Sequence, residues 1–344
     1  MMNMNVVEEN NRFLDKIASV QGQMELQEAG RQYVKIELLE SAFSRAVLPQ
    51  EPITTADCQR NVNDNSLYLI RDIEPEASAV GVDNLGEPDG SYVRGQRYII
   101  PIVNFTTKRF QITVEELRAY QYKITKRIED KSVPVLEKLE DKFFTKLAAA
   151  AIGVTGATNK KIVQQYLTAG ATNLALSALD IVKLTNTLVG GIPASPDTKK
   201  KELALILMSQ ESFEYAVVLP SAGDDFGKDR VQNGITTDTL YGKKVVRTIK
   251  TDIVPQGLLF AFTGPDMLGH GFALGDPSFE IKHSFGLIEW QTKESIAYGI
   301  GNALSVAALT LDGAKRPDTG ATMQCVADGT VPAGFGDFYS AMVI

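Results

Sequence analysis

Cysteine and histidine are nearly missing from this sequence. Its 344 residues include two cysteines, Cys58 and Cys325, and two histidines, His270 and His283. That excludes a disulfide framework and leaves little with which to build a zinc centre. Two unrelated cysteines read as reduced thiols of a cytosolic protein. No apolar run reaches the roughly 20 residues of a membrane span. The opening "MMNMNVVEENNRF" has neither the basic start nor the apolar middle of a signal peptide, so the expected place of folding is the cytoplasm. A net charge of −7 argues against indiscriminate nucleic-acid binding by the chain as a whole.

The motifs of common chemistries are missing too. There is no G-x-G-x-x-G after a strand, no G-x-x-x-x-G-K-[ST], no G-x-S-x-G and no H-E-x-x-H. "DNLGEPDG" lacks the alternation and terminal glutamate of a calcium loop and reads as turn residues. His270 sits among glycines and His283 in a strand, with no orienting acid or nucleophile to make them a catalytic pair. No catalytic, cofactor-binding or metal-binding residue is expected, and the chain does not read as an enzyme.

What the sequence does contain is a series of parts that do not fit one compact body. Residues 13–48 read as helix, broken at Gly22 and stopped by Pro49 and Pro52. Two β-leaning runs, 66–80 and 97–105, flank the polar, glycine-rich "GVDNLGEPDGSYVRGQ". Pro75 and Pro101 inside them point to an exposed ribbon, because proline cannot donate to a ladder. An isolated two-stranded ribbon is marginally stable at best. One carrying Tyr68, Leu69, Ile73, Tyr98, Ile100 and Ile102 is expected to need a surface from outside its own domain.

A long helix follows, opened by a capping box of Thr113 and Glu116. Val114, Leu117, Tyr120, Ile124, Ile128, Val135, Leu139, Phe143 and Leu147 form its apolar stripe, and Pro134 is expected to kink it. Lys138, Lys142 and Lys146, interspersed with Glu137, Glu140 and Asp141, read as a solvated face. Beyond Gly153 the elements shorten. A helix over 177–189 is capped by Ser177, and 202–209 is a buried strand followed by a second helix ending at Pro220. "TLYGKKVVRTI" and "GLLFAFTG" are strands of one sheet, and 287–311 is a long strand with a turn at 299–302. Trp290 reads as core.

The order of these parts resembles the major capsid proteins of tailed bacteriophages, the fold named for phage Hong Kong 97. The resemblance is carried by "YLIRDIEPEASAVGVDNLGEPDGSYVRGQRYIIPIVNFTTKRFQITVEELRA", "TLYGKKVVRTIKTDIVPQGLLFAFTG" and "IEWQTKESIAYGIGNALSVAALTL", and it covers about residues 57–312. It implies an α+β fold in the following parts: an N-terminal helical arm (1–56), an E-loop hairpin (57–111) and a peripheral (P) domain with a spine helix (112–175). An axial (A) domain (176–274), a returning P-domain strand (275–300), an A-domain end (301–312) and a C-terminal extension (313–344) complete it.

The resemblance further implies a protein that assembles with copies of itself, as pentamers and hexamers, into an icosahedral virion shell in the host cytoplasm. Portal, scaffolding or decoration proteins and packaged double-stranded DNA, held by non-specific contact, are the other partners; no membrane and no cofactor is involved. The residues expected to meet a neighbouring subunit are Asp83, Glu87, Asp89, Tyr92, Arg94 and Arg97 on the hairpin. Ile17, Tyr33, Ile36 and Phe43 on the arm and Phe335, Phe338 and Tyr339 in the tail complete the set. The polar loop 220–234 is expected near the ring centre. Residues 66–107 contain no lysine, only Arg71, Arg94 and Arg97, so the amine nucleophile of a hairpin isopeptide cross-link is absent and a noncovalent lock is expected. Two other readings are a nanocompartment shell of the encapsulin type, with the same fold around a cargo enzyme, and an enzyme with an unrecognised site.

Overall fold

The computed structural model of the chain describes residues 4–61, 66–73, 96–119, 124–159, 162–165, 181–182, 184–186, 188, 203–217, 239–240, 243–284 and 286–311. Its elements are two six-stranded sheets and a three-stranded ribbon, with one long helix between the sheets.

The first sheet is organised by β14 (Leu287–Ile300), which is paired along both edges. Trp290 is opposite both Ile281 of β13 (Ser278–Ser284) and Phe110 of β6 (Phe110–Thr113). Ile296 is opposite both Ala273 of β12 (Gly269–Leu274) and Val103 of β5 (Val103–Thr106). The parallel strand β1 (Gln50–Ile53) then pairs with β12. Side chains alternate across a strand. The inward row of β14 is therefore Ile288, Trp290, Thr292, Glu294, Ile296 and Tyr298, all buried.

The second sheet runs β7 (Ile162–Gln165), β15 (Val306–Leu311), β11 (Leu258–Phe262), β8 (Leu205–Ser209), β10 (Lys243–Thr248), β9 (Thr239–Leu240). Every residue of β8 and β11 is buried, as their unbroken apolar runs predict for strands covered on both faces. One face packs on α6 (Gln210–Val217) and on Ile181, Leu184 and Leu188 of a further helical stretch. The other face packs on the long helix α5 (Ile124–Asn159).

At ~1.5 Å per residue α5 is about 54 Å long, and Pro134 lies inside it. The expected capping box is present at the start of the short helix α4 (Val114–Ala119). There Glu116 N–H donates to Thr113 Oγ1 at 3.1 Å, and Thr113 N–H donates to Glu116 Oε2 at 3.2 Å. The buried face of α5 is displaced from the expected stripe. Its centre line runs Val133, Leu136, Glu140, Phe144, Ala148, while Val135 is exposed and Leu139, Phe143 and Leu147 are only partly covered. Because α5 lies between two sheets, it buries a wider arc than a one-sided amphipathic helix, and that arc includes two carboxylates.

The arm is helical, as expected, in three pieces: α1 (Met4–Ile17), α2 (Val20–Ser41) and α3 (Phe43–Val47). The first break falls at Ala18–Ser19 instead of Gly22. Ser19 Oγ accepts the Gly22 N–H at 3.1 Å, the side-chain cap that starts a helix. Gly22 serves close approach instead, since a Cβ there would lie 2.1 Å from the Lys16 carbonyl oxygen.

Candidate assembly interface

Both segments expected to leave the body, the arm and the hairpin, are rooted in it by contacts of opposite character. The ribbon comprises β2 (Gln59–Arg60), β3 (Leu67–Ile73) and β4 (Gln96–Pro101). Leu69 and Ile100 face each other across it and are buried with Ile53, Phe272 and Ala297 of the first sheet, with Tyr98 and Ile102 partly covered against them. The seat is a notch made by two glycines at the end of β14. A Cβ on Gly299 would lie 2.6 Å from Ile100 Cδ1, and one on Gly301 would lie 2.9 Å from the Tyr98 ring. The surface that Leu69, Tyr98 and Ile100 need from outside the hairpin is thus supplied by this chain's own first sheet and not by a neighbouring molecule, because the missing Cβ atoms let it receive them. On the other face of the ribbon Ile99 is 66% exposed, opposite the half-buried Ile70. Arg97 is exposed and donates to Asp72, its ladder partner, at 2.8 Å.

The arm is likewise covered by its own subunit. Ile17 is buried with Phe13, Ile112, Leu117, Phe279, Ile281, Ile288 and Trp290, and Phe43 lies in the core around α5. The expected cover of Ile17 and Phe43 by another chain is therefore corrected: helical periodicity identifies an apolar face but not whose surface meets it. The Phe279 ring packs so closely on α2 that a Cβ on Gly30 would fall 2.5 Å from it. Among the described side chains of the arm, Val20 and Met24, one turn apart on α2, are large apolar residues left exposed, at 73% and 64%. Tyr33 and Ile36 belong to α2, but their side chains are outside the described residues, as are Asp83, Glu87, Asp89, Tyr92, Arg94, Phe335, Phe338, Tyr339 and the loop 220–234.

The root of the arm is a buried cluster of charge that sequence reasoning placed in solvent. Glu140 and Asp141 of α5 are completely buried, which corrects the solvated face expected for them. Arg45 of α3 donates through Nε to both Glu140 oxygens, at 2.9 and 3.1 Å, and through Nη2 to Glu294 Oε1 of β14. Gln50 Nε2 and the Tyr298 hydroxyl also donate to Glu140 Oε1, at 2.8 and 2.5 Å. One residue along α5, Asp141 accepts the Ser44 backbone N–H at 3.0 Å and the ammonium of Lys250, which also meets Glu137. Lys250 follows β10, so the arm, α5, the first sheet and the end of a strand of the second sheet meet here.

Burial raises the carboxyl groups that lack full compensation. Glu294 is pushed up to about 7 by desolvation and by the charge of Glu140, with Arg45 opposing. Asp141 is pushed up to about 6 by desolvation, against the pull of Lys250 and the Ser44 amide. Burial raises the Tyr298 phenol too, with Glu140 adding to it. Burial alone would lower Arg45, but Glu140 and Glu294 outweigh it and hold the guanidinium above its ordinary value. A signal for these residues was present: Glu140 continues the row Leu136–Glu140–Phe144, and Glu294 the inward alternation of β14.

The two histidines do not form a site. His270 is opposite Gly299 and His283 opposite Ile288, eleven residues apart along β14, or roughly 36 Å. Among the described residues, no group of three or more His, Cys, Asp and Glu is placed to hold a metal, and no helix is long and apolar enough to cross a membrane.

No protein-family model and no curated protein matches the sequence. Solved structures do match the fold. The asymmetric unit of the bacteriophage PhiM1 mature capsid superposes with a TM-score of 0.52 at 11% identity, over 79% of this chain and 87% of that one. A structure from Mycobacterium phage Bobi gives 0.52 at 11% identity, over 79% and 91%. One from Microbacterium phage Oxtober96 gives 0.51 at 10%, over 79% and 91%. The fold is the Hong Kong 97 type, an α+β architecture.

Proposed function

We propose that this chain is the major capsid protein of a tailed phage, assembling as pentamers and hexamers into an icosahedral head around double-stranded DNA. The observation that supports this best is the pairing of that fold with a ribbon rooted in its own sheet whose outer face carries the exposed Ile99. In a head-to-tail ring each such face meets the next copy, and repetition closes the ring. In this reading the first sheet and α5 form the P domain and the second sheet the A domain. Asp83, Glu87, Asp89, Tyr92 and Arg94 at the hairpin tip are contacts to a neighbour, with the Arg97–Asp72 pair beside them. Phe335, Phe338 and Tyr339 of the tail are the noncovalent lock. The protein works as structure, not as an enzyme, and its site of action is the virion, built in the host cytoplasm with a portal and with scaffolding or decoration proteins.

Negative-stain microscopy of the purified protein tests the proposal. Closed isometric shells or five- and six-fold rings are expected. A monomer that persists under conditions in which virions are stable overturns it, and shells that package a protein cargo in place of DNA move the reading to a nanocompartment.

A further inference from the structure

We propose that the root of the arm is a proton-operated clamp, in which Glu294 holds a proton while α3 is seated and gives it up when α3 leaves. The geometry asks for that proton. Four carboxylates (Glu137, Glu140, Asp141 and Glu294) meet two cations, Arg45 and Lys250, at one largely buried place, so full ionisation would leave two negative charges unmatched. Uncompensated buried charge is among the most costly arrangements in a folded chain. The donors are unevenly shared. Arg45 Nε, Gln50 and Tyr298 converge on Glu140, whereas Glu294 receives Arg45 Nη2 alone, and its Oε2 is buried without a hydrogen-bond partner. A bare anionic oxygen becomes a neutral hydroxyl when the proton sits on that atom.

Among the described residues the surroundings supply no other answer. From α3 comes Arg45, from α5 Glu140 with Glu137 and Asp141 beside it, from the segment after β10 Lys250, and from β1 only the uncharged Gln50. Opposite Glu294 on β5 stands Phe105. His270 of β12 lies on the sheet face that carries Phe272 and Ala297, away from the cluster. Lys293, next on β14, points outward to Glu280.

The sign follows from the raised carboxyl. Seated, Glu294 keeps its proton up to about 7; released to water it would ionise in the ordinary glutamate range. Between those limits the seated state binds more protons than the released one, so stability is highest at the acid end and falls as pH rises through the window. Asp141, raised to about 6, adds in the same direction. Acid tightens the seat of α3 and alkali loosens it, whether or not the subunit is part of a shell.

Thermal unfolding of the full chain and of Glu294→Gln, from about pH 5 to about pH 8.5, reads the clamp. The wild-type midpoint is expected to fall by several degrees over this range. The variant, which keeps the shape and cannot ionise, should lose most of that slope and be the more stable protein at the alkaline end. Equal slopes overturn the proposal. Infrared difference spectroscopy decides independently, with Glu294→Gln separating the Glu294 band from that of Asp141. A protonated buried carboxyl band should be present near pH 6 and bleach by about pH 8, and its absence near pH 6 sinks the clamp.

Discussion

The arm and the hairpin leave the same body, yet one root is made of charge and the other of shape. At α3, Arg45 and Lys250 thread between carboxylates of α5 and β14, flanked by Phe43, Val47 and Leu48 in the core around α5, and the Phe43 ring centroid lies 5.5 Å from the Lys250 ammonium. At the ribbon no ion is buried; Ile100 and Tyr98 fill a notch that exists because Gly299 and Gly301 have no Cβ. A seat made of charge responds to protons, whereas one made of shape responds only to volume. The segment whose hold depends on solution conditions is therefore the arm, while the hairpin's root is fixed and only its outer face is free to find a partner.

The comparison breaks most severely at Arg45. Arg45→Met strands Glu140 and Glu294 in the core, and removal of one partner from a buried ionic group costs about 3–5 kcal/mol. Urea unfolding should show that loss at neutral pH and a clear recovery in mild acid, where Glu294 can take a proton. A loss of the same size at both pH values would mean that packing, not charge, seats α3. Gly299→Val attacks the other root. Its Cβ would fall on Ile100, and overpacking of this kind costs about 1–3 kcal/mol. Here the loss should be independent of pH, and protease cleavage in the hairpin should rise; a pH-dependent loss would blur the distinction between the roots. The smallest effect on the subunit belongs to Ile99→Asp, on the exposed face of the ribbon. Its unfolding free energy should stay within about 0.5 kcal/mol of wild type, as for surface changes generally. Ring and shell formation should nonetheless be lost, and shells that form normally would remove Ile99 from the interface.

Local pattern made much of this architecture legible. The Thr113–Glu116 box, the unbroken apolar runs of β8 and β11 and the proline-marked ribbon each depend on residues within a few positions of one another. The charge cluster depends on residues 45, 140, 250 and 294, and nothing near any of them names the others. Glu140 and Asp141 look solvated because lysines flank them, and only the inward rows of α5 and β14 mark the position as buried. The arm illustrates a second limit. Its periodicity correctly implied a covered face, but Ile17 and Phe43 are covered by their own subunit. Gly299 reads as part of a turn, yet it is a strand residue that makes room for Ile100.

The central position of β14 also decides when the protein can fold. β1 waits for residues 271–274, and β5 and β6 wait for residues 287–296, close to the end of the described chain. At the usual 5–20 residues per second, the segment that ends at Thr113 leaves the ribosome roughly 10–40 s before its partner strand exists. For that time Phe105, Phe110 and Ile112 have no sheet to enter, and pairings so distant in sequence are slow to form even once both strands are present. The first sheet is thus completed only once β14 has been made. The yield of folded chain in the cell then depends on how well those early strands are shielded during the wait.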